Sequence, residues 1–356
     1  MTGYPSVVKS ELLSQARNAI NASLQSFLAR ETKNLNSIGN ELAWVSQSME
    51  RYVLSSGKRL RPLFAYVGYL GTANKIDEKL TTACASLELI HVCALMHDDL
   101  MDASDTRRGL PSLHREFENL HRLNSMNGRA DQFGASAAIL LGDLALVWSA
   151  KMFHESGLEI NQIFSALPIY DELRVELMAG QYLDVYEQTM HTSSLERSLK
   201  IARYKSGKYT IERPLHFGAA LSGSTNLFDQ YSKYGLPLGE AFQLRDDVLG
   251  VFGESELTGK PTGDDILEGK RTALIAKTYE LATPSQAMTI SSVLGNKKAT
   301  QNEIEKTKEI IQATGALDYI ENLITDLTNR AISAVQGLPN EKVLVELAEI
   351  SSKRSA

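Results

Sequence analysis

The segment from Thr81 to Met96 is almost wholly apolar, yet it runs straight into His97-Asp98-Asp99-Leu100-Met101-Asp102. Cys84, Leu87, Ile90, Cys93, Ala94 and Met96 recur at steps of one to three residues, the pattern of a helix buried on most of its surface. If that helix continues through the acidic residues, Asp98 and Asp102 stand one turn apart on one face. Two carboxylates closing a buried helix are costly unless a cation neutralises them. Oxygen-only ligands at this spacing suit a hard cation such as magnesium, bridged to diphosphate oxygens. A solvated helix end is the plainer alternative, and this motif alone does not choose between the two.

Similar helical patterns run from about Pro168 to Glu187, Leu195 to Leu221 and Phe228 to Phe252. Alternating strands between turn pairs are not evident, so the expected class is all-α. Asn119 to Gly134 reads as a surface loop, and Gly253 to Gly269, with Asp264 and Asp265, as a second one. Neither looks like an interdomain linker, which favours one domain over residues 1–356. Both ends, including Ser351 to Ala356, are expected to be mobile. With 43% hydrophobic and 22% charged residues, the composition is that of a folded globular chain.

The formal net charge of −6 provides no basic field for nucleic acid. Ala135 to Ala150 is interrupted by Asp143 and falls short of a membrane span, and no signal pattern follows Met1. On one helix, Cys84 and Cys93 would lie roughly 13 Å apart along the axis, too far for a disulfide. Reduced thiols and a cytoplasmic setting are therefore expected.

A second acidic pair, Asp246-Asp247, lies in an apolar stretch, with Gln243 three residues before Asp246 and able to share its face. Two such helices facing each other across a cavity would form a metal-diphosphate clamp. Basic clusters supply the counter-charge. Gly57-Lys58-Arg59-Leu60-Arg61-Pro62 precedes an apolar helix, and a helix start with Lys58 and Arg61 is a plausible phosphate site. Arg107 and Arg108 follow the first acidic motif, Lys205 and Lys208 flank Ser206-Gly207, and Lys260 and Lys270 flank the second loop. Singly, each cluster reads as a solvated face; their placement around two acidic motifs favours a site.

From Gly57 to Arg271 the chain resembles the trans-polyprenyl diphosphate synthase family. The first aspartate-rich motif is matched by Asp98 to Asp102, extended by Ser104-Asp105-Thr106-Arg107-Arg108-Gly109, Pro111 and His114. Gly57, Lys58 and Arg61 match the family's isopentenyl diphosphate motif, and His91 lies where another ligand of that substrate is placed. The resemblance implies a helical bundle around a deep central cavity, working as a homodimer with magnesium, three ions per site. By the same resemblance, Asp98, Asp102 and Asp246 hold metal with support from Asp99 and Asp247. Arg107, Lys205, Lys260 and Lys270 contact the allylic diphosphate. Lys58, Arg61, His91 and Arg108 hold isopentenyl diphosphate, and Gln243 and Ser206 sit near the allylic cation. One departure stands out: Gly250 occupies the place of the family's usual third aspartate in the second motif.

The implied reaction is condensation of isopentenyl diphosphate with an allylic diphosphate to a linear product. Bulky aromatics before the first motif stop growth at fifteen carbons in the family. Ile90, Cys93 and Ala94 stand there instead, so a geranylgeranyl product is expected; a farnesyl or longer chain stays open, because neighbouring residues such as Met178 and Tyr182 could set the floor. A class I terpene cyclase and a non-catalytic subunit of a heteromeric synthase remain as alternatives. The isopentenyl diphosphate motif argues against the first, and the retained acidic motifs argue against the second.

Overall fold

The structure, a computed structural model, describes residues 11–55, 57–73, 76–107, 109–190, 192, 194–253 and 263–352. Asp77 accepts a hydrogen bond from the Leu80 amide at 2.9 Å and starts helix α4 (Glu78–Met101). Before it come α1 (Glu11–Asn36), α2 (Ala43–Leu54) and α3 (Leu60–Leu70). After it follow α5 (Leu113–Leu123), α6 (Ala130–His154), α7 (Ile160–Gln188), α8 (Leu195–Ile201), α9 (Arg213–Leu221) and α10 (Phe228–Phe252). Six further helices, Asp264–Glu268, Ala273–Leu281, Pro284–Val293, Gln301–Ala313, Ala316–Ala334 and Glu341–Ser352, complete the described chain. The only strands among the described residues are Thr106–Arg107 and Leu110–Pro111, a minimal antiparallel hairpin. The all-α expectation holds.

Burial explains the arrangement. Helix α4 packs on α6, α3 on α9, and α10 on Ala316–Ala334. Tyr231, Tyr234, Leu238 and Phe242 of α10 join the core of the N-terminal helices, while Leu244, Val248 and Val251 join that of the C-terminal helices. One helix thus ties two clusters together. Between α8 and α9 the chain runs as a π-helix, Ala202–Glu212. This wide turn reaches its neighbours where side chains are missing: a Cβ on Gly239 would stand 2.3 Å from Gly207 Cα, and one on Gly180 2.3 Å from the Lys205 amide nitrogen. Such a π segment inside a helix often marks a functional site.

Two expectations need correction. Asn119 to Gly134 is not one loop: α5 runs through Leu123 and α6 begins at Ala130. Buried Leu120 and His121, with Arg122 and Arg115 paired to Glu118, hold the helix despite its polar composition. Nor is the tail loose at its start, because Ser351 and Ser352 are buried and the Ser352 carbonyl accepts from Arg245 Nε at 3.1 Å. By length and composition alone, α4 and α6 could each cross a membrane. Helix α4 is mostly buried inside the protein and α6 packs on it with one apolar face left exposed, so neither is a clear membrane span.

Cys84 and Cys93 are both free and buried. Burial pushes the Cys93 thiol up to about 12, with the Asp143 charge adding to the effect, so it is an inert core thiol.

Candidate active site

Helix α4 delivers Asp98 and Asp102 where its buried run ends, and two lysines from elsewhere meet them. Lys205, on the π segment, donates to Asp98 Oδ1 at 3.0 Å and to Asp184 Oδ2 on α7 at 2.6 Å. Gln181, one turn before Asp184, donates to the same Asp98 oxygen at 2.9 Å. Lys270 pairs with Asp102 at 3.1 Å, Glu268 at 2.8 Å and Asp265 at 3.4 Å. Burial alone would raise the Asp98 carboxyl, but Lys205, Lys270 and Arg107 outweigh it and hold it below the usual carboxylate range. Asp102 moves the other way: burial first, then the Asp98 charge, raise it to about 6.

Asp99 points elsewhere. Its fully buried carboxylate accepts from Arg107 Nε at 2.9 Å, and the guanidinium lies 3.8 Å from Asp98 Oδ2. Asp99 thus meets Asp98 through Arg107, which lies between the two carboxylates' contacts.

On α10, Gln243 donates to Asp247 Oδ1 at 2.7 Å and accepts from Ser206 Oγ. Asp247 is thus buried behind Gln243, while Asp246 is only half-buried. The substrate-motif residues converge as well. Arg61 donates to Thr210 Oγ1 at 2.9 Å and lies 4.0 Å above the Tyr209 ring, whose hydroxyl is 2.9 Å from His91 Nδ1. Gly57 and Lys58 lie just before α3, half-buried. Arg108 and Lys260 lie outside the described residues, as does most of the loop that includes Lys260.

Sequence reading missed Gln181, Asp184 and Tyr209. The available signal was Gly180-Gln181-Tyr182-Leu183-Asp184, a small residue followed by a polar pair three apart on one helix face. The residues named for the product floor divide between two packing clusters. Ile90 and Ala94 belong with α7 and α9, while Cys93 lies in the cluster with α6 and its Sγ is 3.8 Å from His97 Nδ1. Met178 and Tyr182 are exposed. Two open hollows lie elsewhere, one of about 260 Å³ beside Ser23 and Arg30 and one of about 480 Å³ beside Asp105 and Arg115.

The residues present fit magnesium. Asp102 is 3% exposed, and its Oδ1 has no hydrogen-bond partner among the described residues. Such an atom is stable when a cation takes it. Among the described residues no group of three or more His, Cys, Asp or Glu side chains is placed to hold a metal ion by itself.

The acidic sites also set a pH dependence. Burial, aided by the Asp265 and Asp246 charges, raises Asp247 to about 7. Its folded-state value thus lies above the unfolded one, so the metal-free protein loses stability as pH rises from about 4 to about 7. Asp247→Asn is expected to stabilise the metal-free protein by on the order of 4 kcal/mol at pH 8 and by nothing at pH 4. Urea unfolding in chelator at both pH values checks this; equal gains at both would contradict it.

Residues 42–311 match the family profile described as polyprenyl synthetase. A geranylgeranyl diphosphate synthase from Saccharolobus solfataricus is 30% identical over 312 residues, covering 84% of this chain and 87% of its own. An octaprenyl diphosphate synthase from Escherichia coli is 28% identical and covers 97% and 98%. The crystal structure of a Corynebacterium glutamicum geranylgeranyl pyrophosphate synthase, complexed with isoprenyl diphosphate and magnesium, superposes with a TM-score of 0.92 at 38% identity, covering 96% of this chain and 99% of that one. With its acidic helix ends, lysine bridges and Arg61–His91–Tyr209 cluster now placed, the chain belongs to the polyprenyl synthetase family of prenyltransferases.

Proposed function

We propose that this chain condenses isopentenyl diphosphate with an allylic diphosphate to make linear geranylgeranyl diphosphate. The observation that carries the reading is the Asp98–Asp102 pair, with Lys205 on Asp98, Lys270 on Asp102, and an Asp102 Oδ1 that has no hydrogen-bond partner among the described residues. Asp98, Asp102 and Asp246 would hold magnesium, three ions in all, which neutralises the departing diphosphate. Lys205, Lys270, Arg107 and Lys260 add positive charge where that group leaves. Gly57, Lys58, Arg61, His91 and Arg108 hold isopentenyl diphosphate, whose alkene is thereby positioned for the allylic carbon. Ser206 and Gln243, hydrogen-bonded to each other, would sit close to the allylic cation, and the apolar helices would keep water from it.

The site is assigned to one domain spanning residues 1–356, in a cytoplasmic homodimer. Phe133, Leu140 and Val147 recur every seven residues on the exposed face of α6 and offer a second copy an apolar stripe.

Purified protein with magnesium, labelled isopentenyl diphosphate and each allylic primer in turn should yield a linear twenty-carbon product. No magnesium-dependent elongation with any primer would sink the reading, and a cyclised product would move it to the terpene cyclases. Ala94→Phe is expected to shift the main product to fifteen carbons, at a packing cost of about 1–3 kcal/mol. An unchanged product distribution from a folded Ala94→Phe protein would remove Ala94 from the floor.

A further inference from the structure

Helix α2 ends just before the segment assigned to isopentenyl diphosphate, and α5 starts at the end of the hairpin that carries Arg107. One side chain joins the two helices. Glu116, in the first turn of α5, accepts from Ser48 Oγ at 2.9 Å with Oε1 and from Arg51 Nη2 with Oε2. Ser48 and Arg51 are three residues apart and share a face of α2. The carboxylate thus takes both bonds from one helix while its backbone belongs to the other.

Each helix passes that constraint on to a diphosphate-binding segment. On the α2 side, the Ser55 amide donates to the Arg51 carbonyl at 2.9 Å. Arg59 Nη2 donates to the Val53 carbonyl at 2.8 Å and to the Ser55 carbonyl at 3.2 Å, and Lys58 and Arg61 flank Arg59. On the α5 side, the Glu116 amide donates to the Ser112 carbonyl at 2.9 Å, and the Ser112 amide to the Asp105 carbonyl at 3.0 Å. That closes the hairpin in which Arg107 stands opposite Leu110. Tyr52 lies between the two sides. The Arg51 guanidinium is 5.7 Å from its ring centroid, its hydroxyl is buried, and the Asp99 and Arg107 charges both act on that hydroxyl.

We propose that Glu116 is a positioning residue of the condensation: by clamping α2 to α5 it sets the spacing between the isopentenyl diphosphate segment and the Arg107 hairpin. This rests on the reading of the site as a prenyl condensation centre. Each diphosphate would still meet its own residues without Glu116, so affinity for either one alone does not depend on the clamp. The rate of carbon–carbon bond formation does, because the two reacting carbons must share one geometry and a displacement of ~1 Å can cost about 100-fold. An ion pair with an exposed partner such as Arg51 contributes little to stability, so the clamp acts on geometry rather than on folding.

The test compares single-turnover condensation by the full-length protein with equilibrium binding of isopentenyl diphosphate alone and of inorganic pyrophosphate with magnesium. Glu116→Ala is expected to slow the single turnover about tenfold. Both affinities should stay within about twofold, and the melting temperature near that of the unaltered protein. Glu116→Gln should recover most of the rate, because its amide can accept from Arg51 and donate to Ser48 Oγ. Arg51→Met should slow the step in the same direction as Glu116→Ala. A folded Glu116→Ala protein with an unchanged rate overturns the assignment. So does a rate loss matched by an equal loss of either affinity, the mark of a generally loosened fold, and so does a glutamine variant no faster than the alanine one. If Glu116→Ala does not fold, Arg51→Met decides alone, and an unchanged rate there overturns the clamp. Absence of magnesium-dependent elongation by the unaltered protein would instead overturn the underlying reading of the site.

Discussion

Asp98→Asn is expected to lower magnesium-dependent elongation by about 10³-fold while leaving the fold intact. Asparagine keeps the shape and can still accept from Gln181, which now donates to Asp98 Oδ1 at 2.9 Å. What it removes is the charge that faces Lys205 and would face the metal. Lys205 keeps Asp184 at 2.6 Å, so the lysine is not orphaned and the helix end is not disrupted. The loss should therefore fall on turnover far more than on stability. Asp102→Asn should act in the same direction through the opposite end of the pair. Single-turnover rates with circular dichroism and urea unfolding of each variant separate the two effects. Turnover within a few-fold of the original protein would show that the carboxylate face of α4 does not hold the catalytic metal.

Glu88→Ala is expected to destabilise the protein by about 3–5 kcal/mol. Glu88 is 3% exposed on α4, and its Oε1 lies 2.8 Å from Arg59 Nη1, itself only 4% exposed. Arg59 also donates to Asn21 Oδ1 at 2.9 Å and to the Val53 carbonyl at 2.8 Å, so it cannot swing out to water without breaking those bonds. Truncating Glu88 therefore leaves a guanidinium charge buried and uncompensated. Arg59 has a left-handed backbone, φ 53°, just before α3 begins. Side chains rarely adopt that conformation, and the ion pair helps to hold it. Because Lys58 and Arg61 flank Arg59, the KM for isopentenyl diphosphate should rise as well. The paired replacement Arg59→Met with Glu88→Leu should recover most of the lost stability, because no charge is then stranded. Urea unfolding midpoints of the single and double variants check this; a single variant within 1 kcal/mol of the original protein would contradict it.

Helical periodicity and two acidic motifs were legible in the chain because both depend on local spacing. The run into Asp98 and Asp102 states its own cost: buried apolar turns followed by carboxylates on one face. The same local logic found Asp246 and Gln243, and the Gly57-to-Pro62 segment before α3. It failed between Asn119 and Gly134, where polar composition reads as loop but long-range burial of Leu120 and His121 sustains helix.

Sequence alone therefore determined the class of fold, the family and the two acidic faces, because residues three or four apart on a helix share a side whatever surrounds them. Tertiary packing decided which partners those faces meet. Only in the fold does Lys205 join Asp98 to Asp184, Asp99 turn to Arg107, and Tyr209 bring Arg61 and His91 together. Only there does Glu116 meet Ser48 and Arg51. These contacts join residues on different elements, and their geometry follows from how those elements pack, which the spacing of residues along one helix does not encode.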